Sequence, residues 1–158
     1  MASAAERGLP EPRGGSSKVA QPHLLESPTA LAAGLAATAL ALHSSLWGLQ
    51  APLGRSVVAG VLLLAAGLGW LLWAAWALRP AVFTDEGPFR LGRNPMYLGM
   101  VTALLGLSLL LGVPLLAAAA GALATVLHRV HIPQEESQLR RSFGGWYSDY
   151  AASVRRWL

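Results

Sequence analysis

The stretch Ser56–Leu78, SVVAGVLLLAAGLGWLLWAAWAL, decides the fold, because it contains no charged residue. An apolar helix of about 20 residues is long enough to cross the ~30 Å hydrocarbon core of a bilayer. Three tryptophans, Trp70, Trp73 and Trp76, lie near one end of the stretch. Tryptophans collect in this way at the boundary between membrane and water. The stretch is therefore predicted to be a membrane-spanning helix.

The composition of the whole chain agrees with an integral membrane protein. Its 158 residues predict a single domain, and 54% of them are hydrophobic while 13% are charged. Soluble proteins carry about 25% charged residues. The absence of cysteine excludes disulfides, thiolate metal sites and cysteine nucleophiles. The net charge of +4 is attributed to membrane topology, because no basic stripe interleaved with aromatic residues predicts nucleic-acid binding.

Three further apolar blocks surround this stretch. The first runs from Thr29 to about Leu49 and is long enough to span a membrane. The blocks Tyr97–Leu111 and Leu115–Leu127 are each shorter, and Gly112–Pro114 separates them. We interpret these two as a helical hairpin, with one long helix kinked at Pro114 as the alternative. The predicted fold is all-α and integral to the membrane, with about four transmembrane helices of which the last two form the hairpin.

The distribution of positive charge predicts the orientation. Residues 1–26 are rich in Gly, Pro, Ser and charge, so they are predicted to be a disordered tail preceding a membrane domain at 27–158. With four spans, this tail, the second loop and the C-terminal segment share one side. That side holds eleven of the twelve Lys and Arg residues. The positive-inside rule makes it cytoplasmic, which predicts that both termini are cytoplasmic.

The C-terminal segment Glu135–Leu158 has a different pattern from the apolar blocks. Large apolar and aromatic residues recur in it at spacings of three and four, as in an amphipathic helix; they are Leu139, Phe143, Trp146, Tyr147, Tyr150, Val154 and Trp157. Four arginines lie off this stripe: Arg140, Arg141, Arg155 and Arg156. Gly144-Gly145 could break the helix in two. We expect the segment to lie on the cytoplasmic surface and to pack its stripe against the ends of the spans.

A polar loop, GPFRLGRNPMYLG at residues 87–99, leads into the third apolar block. Polar groups at the edge of a membrane are costly unless they bind something or face water. Asn94 before Pro95 is typical of a helix N-cap followed by the first helical residue. Arg90 and Arg93 could anchor to lipid phosphates or bind a ligand. The loop is therefore either a helix start with interfacial anchors or part of a binding site.

A second polar cluster, Glu135-Glu136, follows the last apolar block. Acidic residues suit the first turn of a helix, yet Lys or Arg would be the usual flank of a cytoplasmic membrane end. Tyr97 fits an interfacial belt. His128 and His131 have the spacing of half a metal site, but no third ligand is evident, so no metal site is predicted. Both polar clusters are expected on the same face of the membrane.

These two clusters carry a resemblance to a known family. Residues 87–99 resemble the G-P-Y-R-x-x-R-[HN]-P-x-Y-x-G motif of the isoprenylcysteine carboxyl methyltransferase and phospholipid methyltransferase group of integral-membrane enzymes. The segment from Glu135 to Trp157 resembles the ending of that group, E-E-x-x-L, then F-G-x-x-Y-x-x-Y, then V-x-R-W. Two motifs in the right order are a specific signal. The resemblance covers about residues 50–158.

The resemblance implies binding of S-adenosylmethionine at the cytoplasmic ends of the last helices. Arg93, with Arg90, would fork the cofactor carboxylate, and tyrosines would cover its adenine or sulfonium. The implied catalytic residues are Glu135, Glu136 and Asn94. The implied cofactor-binding residues are Arg90, Arg93, Asn94, Pro95, Tyr97, Gly99, Glu135, Glu136 and Tyr147.

Two positions depart from the most frequent form of the motif. Asn94 stands where many members carry His, and because an amide does not titrate, Asn94 cannot shuttle protons. Phe89 replaces Tyr and removes a hydroxyl.

The expected function is methyl transfer from S-adenosylmethionine to a lipid-like or prenylated substrate that enters from the bilayer. The methyl acceptor could be a lipid amine, a prenylated carboxylate or a small lipophile. One alternative is a non-catalytic membrane protein that keeps the fold as a structural or interaction module. Another is a small transporter subunit, which would need polar residues at mid-span in several helices, whereas His43 is the one candidate in the sequence.

Overall fold

The computed structural model describes residues 27–48, 56–78 and 85–158, and all regular structure in these ranges is helical. The predicted N-terminal tail at 1–26, most of the first loop and the start of the second loop lie outside the described residues. The helices are α1 (Pro28–Trp47), α2 (Val57–Leu78), α3 (Pro95–Leu111), α4 (Pro114–Val126), α5 (Ile132–Phe143) and α6 (Gly145–Ser153). A 3₁₀ turn, Gly87–Arg90, precedes α3, and a π-helical turn, Leu127–His131, joins α4 to α5.

Helix α1 begins as its sequence predicts. Ser27 has an extended backbone, and its side-chain oxygen accepts a hydrogen bond from the Ala30 N–H at 3.2 Å. Pro28 occupies the first helical position, where its missing N–H costs no helical hydrogen bond.

Glycines form the contact between α2 and α3. Gly60 faces Leu110, Gly67 faces Ala103, and Gly99 faces Leu71. The residue numbers rise along α2 as they fall along α3, so the two helices are antiparallel. A Cβ on Gly67 would lie 2.5 Å from the Ala103 nitrogen, so the backbones approach too closely for any side chain. Small residues allow such close packing of helices within a bilayer, where van der Waals contact replaces hydrophobic exclusion.

The turn between α3 and α4 consists of Gly112 and Val113. Gly112 ends α3 in the left-handed conformation with φ 70°, which glycine adopts at little cost. Ser108 donates its hydroxyl to the Val113 carbonyl at 2.9 Å. Arg93 lies just before α3 and contacts Glu136, which lies beyond α4. The chain therefore reverses direction here, as a helical hairpin requires, and does not continue as one kinked helix.

The core of the bundle lies between α1, α3 and α4. It contains fully buried Leu116, Ala120 and Leu123 of α4, together with Ala39 of α1 and Leu104 of α3. Helix α4 packs on both α1 and α3, α1 also contacts α3, and α2 packs on the other side of the bundle against α3.

The last apolar block differs from its prediction. It does not end near Leu127, because α4 continues through the π-helical turn into α5 as one helix, Pro114–Phe143. Pro133 suggests a new helix start from the sequence, but the wider π turn before it accommodates the missing N–H and the proline ring. The helix ends at Phe143, because Gly144 has φ 57°. The first half of the predicted surface helix is thus an extension of the last apolar block.

Three described helices are long and apolar enough to cross a membrane: Pro28–Trp47, Val57–Leu78 and Pro114–Phe143. Helix α3 is apolar but has 17 residues, which is below that length. The protein is therefore a multi-pass membrane protein whose described residues form helices and no strands. The count of four spans and the position of the C-terminal helices on the membrane surface stay predictions.

The α2–α3 contact gives a first prediction. Gly67→Ala should lower the free energy of unfolding by about 1–3 kcal/mol, the usual range for overpacking, because the new methyl group meets the α3 backbone. Thermal unfolding in detergent measures the loss. Gly69→Ala is the matched control, because no atom lies within 4 Å of its added Cβ and alanine favours a helix. Equal stability of the two variants would contradict the close contact.

Candidate functional site

The polar loop before α3 folds as a tight turn that buries its apolar residues. Pro88 and Phe89 are buried in the 3₁₀ turn, while Arg90 at its end is exposed. The Tyr150 hydroxyl of α6 donates a buried hydrogen bond to the Phe89 carbonyl at 2.8 Å. Burial raises the pKa of Tyr150, so this hydroxyl stays a donor at neutral pH. Helix α6 is thereby joined to the loop.

Asn94 occupies the N-cap position of α3 but does not cap it with its side chain. Its Nδ2 donates instead to the Arg156 carbonyl at 2.9 Å, 62 residues further along the chain. Pro95 is the first helical residue, as predicted. The sequence therefore predicts the position of Asn94 at the start of α3 correctly. It does not predict that the side chain binds the backbone of Arg156.

The residues after α6, Val154–Leu158, form an irregular segment that we call the C-terminal strap. It lies across the polar loop. The Arg93 N–H donates to the Arg155 carbonyl at 2.9 Å, beside the bond from Asn94. The Trp157 carbonyl lies where a Cβ of residue 92 would be, so Gly92 is the residue that allows the strap to approach.

The strap is also attached to the last long helix. The Trp157 indole N–H donates to His128 Nδ1 at 3.2 Å, and the two rings stack with centroids 6.2 Å apart. His128 lies in the π-helical turn. Of the two histidines in this turn, His128 therefore accepts a hydrogen bond from the strap.

Glu136 is the centre of an ion cluster in which Arg93 and Arg156 both contact its carboxylate. Arg93 Nη1 lies 3.3 Å from Oε1. Arg156 binds with two donors, Nε to Oε1 at 3.2 Å and Nη2 to Oε2 at 2.9 Å. The Glu136 side chain is 10% exposed, so the cluster is largely removed from water. Two guanidinium charges and one carboxylate leave a local excess of one positive charge.

A cavity of about 530 Å³ opens beside this cluster. It lies at one end of the bundle, where α1 begins, α2 ends and α3 begins, and where α5 passes. Its polar lining comprises Thr29, Arg93, Asn94, Tyr97, Glu135, Glu136, Gln138, Ser142, Tyr147 and Tyr150. Its apolar lining includes Leu78, Phe89, Pro95, Met96, Met100, Leu139 and Phe143. The volume falls within the ~300–1,000 Å³ of typical small-molecule sites.

The structure brings together most of the site residues predicted from the sequence. Seven of them line the cavity: Arg93, Asn94, Pro95, Tyr97, Glu135, Glu136 and Tyr147. Arg90 does not line it and points to the exterior. Gly99 also lies outside the lining and packs against Leu71 and Gly67 of α2. The two polar clusters thus meet at one site, as the topology predicts.

The two neighbouring carboxylates have different surroundings. Glu136 is buried and paired with arginine, whereas Glu135 is exposed and interacts with the Tyr97 hydroxyl. Burial raises the pKa of Tyr147, and the negative charge of Glu136 raises this pKa further. The Tyr147 hydroxyl is therefore protonated at neutral pH and can donate a hydrogen bond into the cavity. Glu135 lines the cavity and has no arginine partner among the described residues.

Arg156 and the strap are the parts of the site that sequence reasoning missed. The helical pattern assigns Arg156 to a solvated face, but helix α6 ends at Ser153 and the strap turns Arg156 towards Glu136. A signal exists in the Val154-Arg155-Arg156-Trp157 ending, which belongs to the motif that carries the family resemblance.

Comparison with known proteins gives one match. Residues 55–145 match the family model of phospholipid methyltransferases. The chain belongs to the phospholipid methyltransferase family. No curated protein and no solved structure matches it. The matched range contains the polar loop and both glutamates, and it ends before the C-terminal strap. The suspected family of membrane methyltransferases is thereby confirmed.

The ion cluster gives a second prediction. Glu136→Gln should lower the free energy of unfolding by about 3 kcal/mol, because it leaves two partly buried guanidinium groups without a counter-charge. Thermal unfolding in detergent measures the change. Glu135→Gln makes the same substitution one residue earlier at an exposed position and should change stability by less than about 0.5 kcal/mol. Equal losses in both variants would show that the cluster does not support the fold.

Proposed function

We propose that the protein is an S-adenosylmethionine-dependent methyltransferase that acts on a lipid-like substrate at the cytoplasmic face of its membrane. The observation that carries the proposal is the cavity that joins the two motifs of a methyltransferase family. The lining of this cavity combines charged and hydroxyl groups with apolar side chains. The polar groups suit a polar cofactor, and the apolar side chains suit an amphiphilic substrate.

The charged groups of the cavity lining fit the cofactor chemically. S-adenosylmethionine carries a carboxylate, an ammonium, two ribose hydroxyls and an adenine. The excess positive charge of the Arg93–Glu136–Arg156 cluster suits a carboxylate. Arg93 Nε is buried and has no hydrogen-bond partner among the described residues. A buried donor of this kind costs free energy unless a ligand satisfies it.

Other residues of the cavity suit the remaining groups of the cofactor. Glu135 can accept hydrogen bonds from an ammonium or from ribose hydroxyls. The rings of Tyr97 and Tyr147 offer aromatic faces for adenine or for a sulfonium charge. The residues present therefore fit the group that the family implies.

The apolar residues of the cavity lining support access from the bilayer. Leu78 at the end of α2 and Pro28 at the start of α1 both border the cavity. Helix α1 packs mainly on α4, and α2 packs on α3, so the two helix ends border the cavity from different parts of the bundle. Met96 and Met100 of α3 line the space between them. Methionine is flexible and adapts to chains of varied shape.

The cofactor, when bound, supplies an electrophilic methyl group on a sulfonium. The protein contributes by holding both reactants in line and by excluding water from the cavity. If the acceptor is an amine, it must be neutral to react, and the Glu135 carboxylate can take its proton. Both Glu136 oxygens already accept from arginine, so Glu136 and Asn94 act by fixing the loop and the strap.

The third prediction tests the activity directly. Membranes containing the protein, incubated with methyl-labelled S-adenosylmethionine and total lipid extract, should transfer label to a lipid fraction. Arg93→Gln and Glu135→Gln should each lower the rate roughly tenfold or more, because each removes a charged hydrogen-bonding group from the cavity.

The controls for this assay are two exposed charges outside the cavity lining. Arg155→Gln and Asp149→Asn make the same chemical changes and should keep the parent rate within about twofold. Absence of labelled product in any fraction, together with no binding of S-adenosylhomocysteine, would favour a non-catalytic role. Label in small molecules or protein would change the substrate class.

The fourth prediction concerns orientation. The site end of the bundle carries the C-terminal arginines, so the positive-inside rule places it in the cytoplasm. A reporter that is active only in the cytoplasm should be active when it is fused after Leu158. A reporter that is active only on the opposite side of the membrane should be inactive at the same position. The same pair of reporters fused before residue 27 should behave identically. The reverse pattern at Leu158 would overturn the topology.

A further inference from the structure

The C-terminal strap contributes one charged side chain to the site, and it lies beyond the range that matches the family. Arg156 binds Glu136 through two donors, whereas Arg93 reaches the same carboxylate through Nη1 alone. The paired, fork-like contact is the preferred geometry between arginine and a carboxylate. Arg156 therefore makes the fork-like contact with Glu136, and Arg93 does not.

Besides Glu136, the Arg93 guanidinium interacts with the Tyr147 hydroxyl, so its contact with the carboxylate does not use all of its donors. Arg93 lines the cavity and Arg156 does not. The Arg93 side chain is 13% exposed, and its Nε lacks a partner among the described residues. If Arg156 were absent, we expect Arg93 to rotate into a two-donor contact with Glu136, because a half-paired carboxylate in this environment is costly. Its free donors would then turn away from the cavity.

The backbone of the strap is held so that Arg156 cannot move freely. The Arg156 carbonyl accepts from Asn94 Nδ2, and the Arg155 carbonyl accepts from the Arg93 N–H, both at 2.9 Å. Trp157 stacks on His128 on the far side of Arg156. Contacts before and after Arg156 thus fix the direction of its side chain.

We propose that Arg156 is a positioning residue that keeps the Arg93 guanidinium available for the amino-acid carboxylate of the cofactor. The proposal rests on the proposed function. It assigns Arg156 no contact with the cofactor. We expect its effect to be confined to ligands that carry the carboxylate, because adenosine and a thioether offer no negative charge to the Arg93 guanidinium.

The experiment compares two ligands that differ at the amino-acid end. S-adenosylhomocysteine carries the carboxylate, and 5′-methylthioadenosine retains adenosine and sulfur but lacks it. Binding of each to the full chain in nanodiscs is measured by calorimetry. Arg156→Gln should weaken S-adenosylhomocysteine roughly ten- to a hundredfold, the range for a lost charge-assisted hydrogen bond, and 5′-methylthioadenosine by no more than about twofold.

The control and a milder variant separate positioning from folding. Arg155→Gln removes the same charge from the adjacent, exposed residue of the strap and should leave both affinities within about twofold. Arg156→Lys keeps the charge but cannot fork a carboxylate, so it should weaken S-adenosylhomocysteine selectively, by less than Arg156→Gln. If Arg156→Gln does not fold, Arg156→Lys carries the same ligand comparison.

Equal weakening of both ligands would overturn the positioning role, because a structural defect affects both ligands alike. No weakening of either ligand would also overturn it, because Arg93 would then bind the carboxylate without help from Arg156. The proposed function fails by a different result. If the parent protein binds neither ligand, the assignment of the cofactor falls, and the role of Arg156 falls with it. Selective loss of the carboxylate-bearing ligand in the Arg156 variants, with an unaffected Arg155 variant, supports both.

Discussion

The buried carboxylate of Glu136 is the interaction on which the rest of the site depends. A lone ionised carboxylate at a site that is largely removed from water would be strongly destabilising, so it requires positive partners. Arg93 comes from the loop before α3 and Arg156 from the C-terminal strap, and both meet Glu136 of α5. Three segments distant in sequence are thereby held at one end of the bundle. The cavity lies next to the point where these segments meet, and Arg93 and Glu136 form part of its lining.

The bundle beneath the site has to be precise enough to bring those segments together. The seam of glycines between α2 and α3 sets the distance between these two helices, because Gly60, Gly67 and Gly99 allow backbone contact. A bulkier residue in the seam would separate the helices and move the start of α3, from which Arg93 and Tyr97 reach the cavity. Packing within the membrane and the geometry of the polar site are therefore mechanically connected, even though no charged group is found in the seam.

Much of this organisation could be predicted from the sequence, and the reasons are physical. Charge-free stretches such as Ser56–Leu78 have few alternatives to a membrane helix, and the charge distribution places both polar clusters at one end. The continuity of Pro114–Phe143 could not be predicted, because Pro133 indicates a helix start and a π-helical turn leaves no pattern in residue spacing. The partner of Arg156 was also hidden, because helical periodicity ceases to apply after Ser153.

The adjacency of the two glutamates explains how one motif can supply both structure and chemistry. Successive residues on an α-helix point about 100° apart, so two neighbours cannot face the same surroundings. On α5 this separation turns Glu136 inward to the arginines and leaves Glu135 beside Tyr97 at the rim of the cavity. A carboxylate paired with two guanidinium groups is poorly suited to accept a proton from a substrate, whereas Glu135 has no arginine partner among the described residues. The buried glutamate therefore holds the loop and the strap together, and its neighbour is the carboxylate to which the proposed function assigns the chemistry.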